Sequence, residues 1–176
     1  LGQPGIHGLQ RVFKRTFDVL VTSTILLLIW PIMLLIAVAV KLDSPGPVLY
    51  RQKRIGEWGQ VFSMLKFRSM RVNTDDSAHR EYVKKLIQEN TSLAGGTGTL
   101  KMTDDPRITR VGKFIRRTSL DELPQFFNVL RGEMSLVGPR PPIPYEVEVY
   151  QKWHTRRFEA IPGITGMWQV YGRNRV

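Results

Sequence analysis

Between Val19 and Val40 the chain reads VLVTSTILLLIWPIMLLIAVAV, with no charged side chain. A hydrocarbon core needs roughly 20 such residues, so the pattern predicts a membrane helix rather than a buried core helix. A secretory signal fits poorly, because the run is long and no small-residue cleavage site precedes the basic region that follows. Pro31 lies in the middle, where its missing N–H and its ring predict a kink. Arg11, Lys14 and Arg15 precede the run; Lys41, Arg51, Lys53 and Arg54 follow it. Basic flanks mark the cytoplasmic side, and here both ends carry them. The simplest resolution is a bent, re-entrant helix whose two ends share one face. A bitopic span stays open, since proline kinks are common in spans.

Past DSPGP at 43–47 the period changes. VLYRQKRIG and QVFSMLKFRSM, on either side of Glu57, Trp58 and Gly59, alternate apolar and basic residues as the strands of a hairpin do. One face is expected to carry Arg51, Lys53, Lys66 and Arg68, either as a solvated surface or facing an anion. DDSAHREYVKKLIQEN at 75–90 spaces Tyr82, Val83, Leu86 and Ile87 as an amphipathic helix does. The glycines of SLAGGTGTLKM lack both phosphate-loop spacings and read as a flexible loop. In TDDPRITRVGKFIRR a helix is expected to start with Asp105 as N-cap and Pro106 in its first turn, with Ile108, Val111 and Ile115 as its apolar stripe. A second helix is expected from Ser119, with a Ser119–Glu122 capping box, Leu120, Leu123, Phe127 and Leu130 buried, and Gly132 as its stop. YEVEVYQKWHTRRF reads as a further amphipathic helix whose basic end suits anionic headgroups. The fold class is therefore α+β: a membrane helix, amphipathic interface helices and a small body with a β-hairpin.

Charge narrows the partners. The 26 Lys and Arg against 15 Asp and Glu give +11 over 176 residues, so the chain should seek an anionic surface or substrate. Nucleic acid is disfavoured, because no binding motif is present and the membrane run would go unexplained. Zero cysteines exclude disulfides, thiol nucleophiles and cysteine metal sites. His7, His79 and His154 show no metal spacing. Trp153, Trp168, Tyr150 and Tyr171 suit base stacking, a lipid interface or plain packing.

The adjacent acids Asp121 and Glu122 in TSLDELPQFFNVLRG admit two readings. In the first they only stabilise a helix start, by about 1 kcal/mol. In the second they perform chemistry. Asp121, Gln125 and Asn128 form a polar stripe between a basic helix and a GPRP turn. Neighbouring acids on a helix diverge by about 100°, which excludes a glycosidase-like pair and favours separate roles. A carboxylate can attack phosphorus to give an acyl phosphate if cations let two anions meet. At about 4 Å two charges interact by roughly 4 kcal/mol at a surface-like dielectric, which one or two cations offset.

SLDELPQFFNVLRGEMSLVGPRP, with KFRSM and DDPRITRVGKFIRR upstream and PGITGMWQVYGRN downstream, resembles the bacterial sugar transferase family, the monotopic phosphoglycosyl transferases. The likeness runs from about Lys14 to the end. It implies a re-entrant membrane helix and a catalytic body that transfers a sugar 1-phosphate from a UDP-sugar to polyprenyl (undecaprenyl) phosphate, opening glycan synthesis at the bacterial inner membrane. The implied organisation is a basic juxtamembrane segment at 1–16, the membrane helix at 17–42 and a cytoplasmic catalytic domain at 43–176, shortened at its C-terminus relative to the family.

By resemblance, Asp121 is the nucleophile and lies close to Mg²⁺, and Glu122 assists as a metal-associated or acid–base group. Arg116 and Arg140 match basic positions near the phosphates, and Lys66 is a further candidate. PGITG falls on Pro162 to Gly166 and GRN on Gly172 to Asn174. Many members carry Lys or Arg before PGITG where this chain has Ile161, so Arg173 or Arg157 is expected to substitute in holding the nucleotide. Trp30 stands where many members have Ser before the membrane proline. The resemblance names neither the sugar nor the oligomeric state, and a homo-oligomer remains open, as does a non-catalytic, basic membrane-anchored module.

Overall fold

The structure is a computed structural model and describes residues 8–72, 107–148, 150 and 152–166. It is mixed helix and sheet, as expected. Helix α1 covers Leu9–Asp43 and includes Pro31. Strands β1 (Leu49–Ile55) and β2 (Val61–Phe67) form the antiparallel hairpin. Helix α2 (Arg110–Arg117), a 3₁₀ turn (Leu120–Glu122), helix α3 (Gln125–Arg131) and strand β3 (Ser135–Val137) follow. Helix α4 (Pro144–Val147), a 3₁₀ run (Lys152–Glu159) and strand β4 (Gly163–Thr165), parallel to β3, complete the body. YEVEVYQKWHTRRF is thus a short helix and a 3₁₀ run, not one amphipathic helix.

Helix α1 grips the body near both ends. Near its start, the buried Asp18 accepts from Ser135 Oγ (2.7 Å) and the Leu136 amide (3.2 Å), and Arg15 donates to the Val129 and Leu130 carbonyls at the end of α3. Those carbonyls close the last turn of α3, where that of Val129 also accepts from the Gly132 amide (3.0 Å), and a cation there suits the helix dipole. Near its finish, Ile36 and Val40 join Phe67 and Ile115 in one core. Arg68 ends α1 by donating to the carbonyls of Ser44 (2.6 Å) and Pro45 (2.9 Å), and Asp43 accepts from the Val111 amide (3.0 Å). Between Thr22 and Ile36 no residue is buried, and Leu27, Leu28, Trp30, Leu34 and Leu35 are exposed. A second core of Met64, Val129 and Met134 lies on the other face of β2.

Three further expectations need correction. The hairpin does not gather its basic residues: Arg51 and Lys53 pair with Leu65 and Ser63, whereas Lys66 pairs with Tyr50 on the opposite face, because side chains alternate. Arg68 points inward to the end of α1. Helix α2 starts at Arg110: Ile108 bridges to Met70, and Thr109 is the N-cap, accepting from the Gly112 amide at 3.0 Å, while the expected Asp105 and Pro106 lie outside the described residues. Gly112 is required there, since a Cβ would stand 2.0 Å from the Ser69 carbonyl oxygen.

The third correction concerns the stretch after Ser119. That residue has φ 60°, a left-handed conformation in which no capping box forms. Pro124 has no N–H for the Leu120 carbonyl, so a 3₁₀ turn precedes the helix. The expected apolar face holds in part: Leu120 and Leu123 pack against the core of Ile36, Val40, Phe67 and Ile115, but Phe127 is exposed, and the polar Asp121, Gln125 and Asn128 are the more deeply buried. Gly132 does end the helix, at φ 85°. The segments 75–90 and 92–102 lie outside the described residues.

Candidate active site

Asp121 and Glu122 occupy the 3₁₀ turn, which packs against α2 on one side and β2 on the other. Asp121 is 5% exposed. Glu122 is half-buried and ion-pairs with Lys66 of β2, Nζ to Oε1 at 3.4 Å. The sequence-expected Lys66 is therefore beside the acidic pair. Arg116 lies in the last turn of α2, immediately before the turn that carries the pair.

The inward polar stripe has a structural task. Asn128 accepts from the Leu65 amide (2.9 Å) and donates to the Ser63 carbonyl (2.8 Å) and to Glu133 (2.6 Å). Its amide thus mimics a neighbouring strand and fixes β2, and Lys66 with it, against α3.

Arg140 is positioned by backbone contact. β3 and β4 approach so closely that a Cβ on Gly163 would meet the Gly138 amide nitrogen at 2.0 Å. The Gly138 amide donates to the Thr165 carbonyl and the Gly163 amide to the Pro139 carbonyl, both at 2.9 Å. The glycines of VGPRP and PGITG therefore lock two loops together. From the other side the hairpin holds the same loop: Arg54 donates to the Pro141 carbonyl (2.9 Å) and the Ile55 amide to the Pro142 carbonyl (3.0 Å).

Arg54, 3% exposed, was not singled out as a site residue from sequence. It also donates twice to Gln52 Oε1. Burial pushes its pKa down to about 10 and the charge of Arg140 adds to that; Glu146, Tyr145 and Glu122 oppose it. Arg54 therefore remains a cation at neutral pH. Its neighbours bring the GPRP loop and the acidic pair into one electrostatic field. Strand parity was the available signal, since Arg54 and Lys66 fall on one hairpin face once the turn is centred on Trp58.

Beyond the loop, Arg157 donates to Tyr150 Oη at 2.7 Å, with its guanidinium 5.2 Å from the ring centroid, and Phe158 stacks on Tyr150 at 6.3 Å. Burial is the largest cause of the raised Tyr150 pKa; Arg157 and Arg140 oppose it and Glu146 reinforces it. Arg157 is thus on the Arg140 side of the site. Arg173, Trp168, Tyr171, His7 and His79 lie outside the described residues, as do the side chains of Trp153 and His154.

Asp121 and Glu122 supply two consecutive carboxylates, and among the described residues no group of three acidic or histidine side chains forms a metal cage. That donor set fits Mg²⁺, which keeps waters and takes substrate phosphates as its remaining ligands. A buried carboxylate beside a second acid, with Lys66, Arg54 and Arg140 at hand, suits reaction with a diphosphate.

A family model described as bacterial sugar transferase matches residues 9–176. The chain is 46% identical over 168 residues to the undecaprenyl-phosphate galactose phosphotransferase of Salmonella typhimurium, covering 95% of this chain and 34% of that protein. It is 44% identical over 170 residues to the UDP-glucose:undecaprenyl-phosphate glucose-1-phosphate transferase of Escherichia coli, covering 95% and 32% respectively. Against the exopolysaccharide production protein ExoY of Rhizobium meliloti the identity is 44% over 164 residues, 93% of this chain and 70% of the relative. The chain thus spans about a third of the length of the first two relatives. By its sequence from residue 9 to residue 176, the chain belongs to the bacterial sugar transferase family.

Proposed function

We propose that the protein is a phosphoglycosyl transferase that moves a sugar 1-phosphate from a UDP-sugar to undecaprenyl phosphate at the inner membrane, as an opening step of polysaccharide synthesis. The observation that carries this is the buried Asp121 beside Glu122, which pairs with Lys66 and acts on Arg54, itself in the field of Arg140. The printed names of its relatives, galactose and glucose phosphotransferases and an exopolysaccharide protein, support the same chemistry.

In the proposed sequence an Asp121 carboxylate oxygen attacks the sugar-bearing β-phosphorus, and the bond from that phosphorus to the UMP oxygen breaks. UMP leaves with the electron pair. A phosphate oxygen of the lipid then attacks the same phosphorus, the bond to Asp121 breaks, and the carboxylate is restored as polyprenyl-diphosphate-sugar forms. Lys66, Arg116 and Arg140 offset the charge of the diphosphate, and Glu122 steadies Lys66. Mg²⁺ held by Asp121 and Glu122 would neutralise phosphate charge.

The same reading makes α1 re-entrant. Asp18 and Asp43 both bond to the body, through Ser135 and Val111, so a body on one side of the bilayer puts both ends of the apolar run on that side. The exposed apolar residues between them are what lipid would cover.

Intact-protein mass spectrometry after incubation with Mg²⁺ and a panel of UDP-sugars, without lipid, tests the chemistry. Wild type should gain one sugar phosphate with one donor and Asp121→Asn none. If folded wild type stays unmodified with every donor, covalent catalysis is refuted and the membrane-anchored module becomes the better account.

A further inference from the structure

The turn of the hairpin, which packs against the 3₁₀ run Lys152–Glu159, carries a large residue whose side chain stays exposed. Trp58 has φ 57° and ψ 23°, a left-handed conformation that a bulky side chain rarely adopts, and its side chain is 59% exposed. Strain of this kind persists only where the surroundings impose it, and it concentrates at functional positions. The next residue, Gly59, is also left-handed and would have suited the turn without a large neighbour.

The location of the turn supplies the reason. Glu57 pairs with Arg11 of α1 at 2.7 Å, which ties the turn to the first turns of the membrane helix. Around Arg11, the side chains of Leu9, Val12 and Phe13 are exposed, as is Val61 beside Trp58 on the hairpin. Lys53 and Arg51, also exposed, add positive charge to β1. An apolar ring with a polar N–H, set among cations at the end of a membrane helix, matches the chemistry of the headgroup zone.

The geometry points to Trp58 as an interfacial anchor that inserts among lipid headgroups and holds the hairpin to the membrane surface beside the first turns of α1. This rests on the reading of α1 as a membrane helix. The occupant is the lipid surface, because the ion pair fixes the turn at the start of the apolar helix rather than toward open solvent.

Two single-tryptophan forms of the full chain separate this inference from the reading beneath it. One keeps Trp58 and carries Trp30→Phe, Trp153→Phe and Trp168→Phe; the other keeps only Trp30. Each is reconstituted in phosphatidylcholine–phosphatidylglycerol vesicles with lipids brominated either near the headgroup or deep in the acyl chain. Trp58 should be quenched more by the shallow bromines, and Trp30 more by the deep ones. Trp30 quenched while Trp58 is untouched, or is quenched best by the deep set, overturns the anchor and leaves the membrane helix standing. Neither residue quenched overturns both. Should the triple substitution impair folding, Trp58→Cys in this cysteine-free chain accepts a nitroxide. More relaxation by oxygen than by a water-soluble nickel chelate supports the anchor; the reverse refutes it.

Discussion

Asn128 shows how one side chain can hold the site without touching the chemistry. It has no exposed surface, and its amide satisfies the Leu65 amide, the Ser63 carbonyl and the Glu133 carboxylate. Asn128→Ala strands these groups, at roughly 1–3 kcal/mol for each that stays buried. The expected loss is about 3 kcal/mol, read as a lowered midpoint of thermal or denaturant unfolding in detergent. Asn128→Asp keeps the acceptor for Leu65 but sets a carboxylate against Glu133. Burial and like charge raise the folded-state pKa of that pair, so the variant is penalised at high pH and recovers as pH falls through the raised value. It should therefore unfold at a higher temperature near about pH 5 than near about pH 8. None of this was legible in the sequence, where Asn128 looked like part of a stripe aimed at ligands. Spacing places residues on one helix face but cannot tell whether that face meets a substrate or the edge of a strand.

At the scale of elements, what the sequence made plain was what local physics decides. The hairpin, the break after Asp43 and the stop at Gly132 depend on turn residues and alternation, and all three are present. The start of α2 was hidden because its causes are distant: Asp43 caps α2 across 68 positions, and Met70 draws Ile108 into a bridge. Two glycines separate these kinds of cause. Gly132 needs its left-handed φ of 85°, and an added Cβ would meet only Arg15 at an ordinary 3.6 Å. Gly132→Ala should cost about 1 kcal/mol and leave the fold intact. Gly163 needs empty space, because its Cβ would fall 2.0 Å from the backbone nitrogen and 2.6 Å from the Cα of Gly138, neither of which can swing aside. Gly163→Ala should part β3 from β4, release the loop that carries Arg140 and abolish a cooperative unfolding transition. Circular dichroism melts of the two variants side by side test the distinction.

The whole molecule turns on how the body and the apolar helix share a bilayer. A straight helix of 35 residues is about 52 Å long, more than enough to cross a hydrocarbon core of about 30 Å. Length alone would therefore favour a span. The contacts argue otherwise: Asp18 is bonded to Ser135 and Asp43 to the Val111 amide, and Ser135 and Val111 belong to one body. Separating those contacts across a membrane would strand a buried carboxylate at Asp18 and uncap α2 at Val111, whereas the proposed re-entry keeps both and turns a mostly apolar surface to lipid. The chain has no cysteine, so Leu9→Cys and Leu42→Cys, both at highly exposed positions, report the two ends separately. A membrane-impermeant maleimide should label both variants in inside-out vesicles and neither in right-side-out ones. Labelling of one end from each side would establish a span and would require Asp18 to leave Ser135. Agreement of the two ends would make the helix a surface anchor that places the candidate site, with Asp121 and Lys66, on the side where soluble UDP-sugars are found.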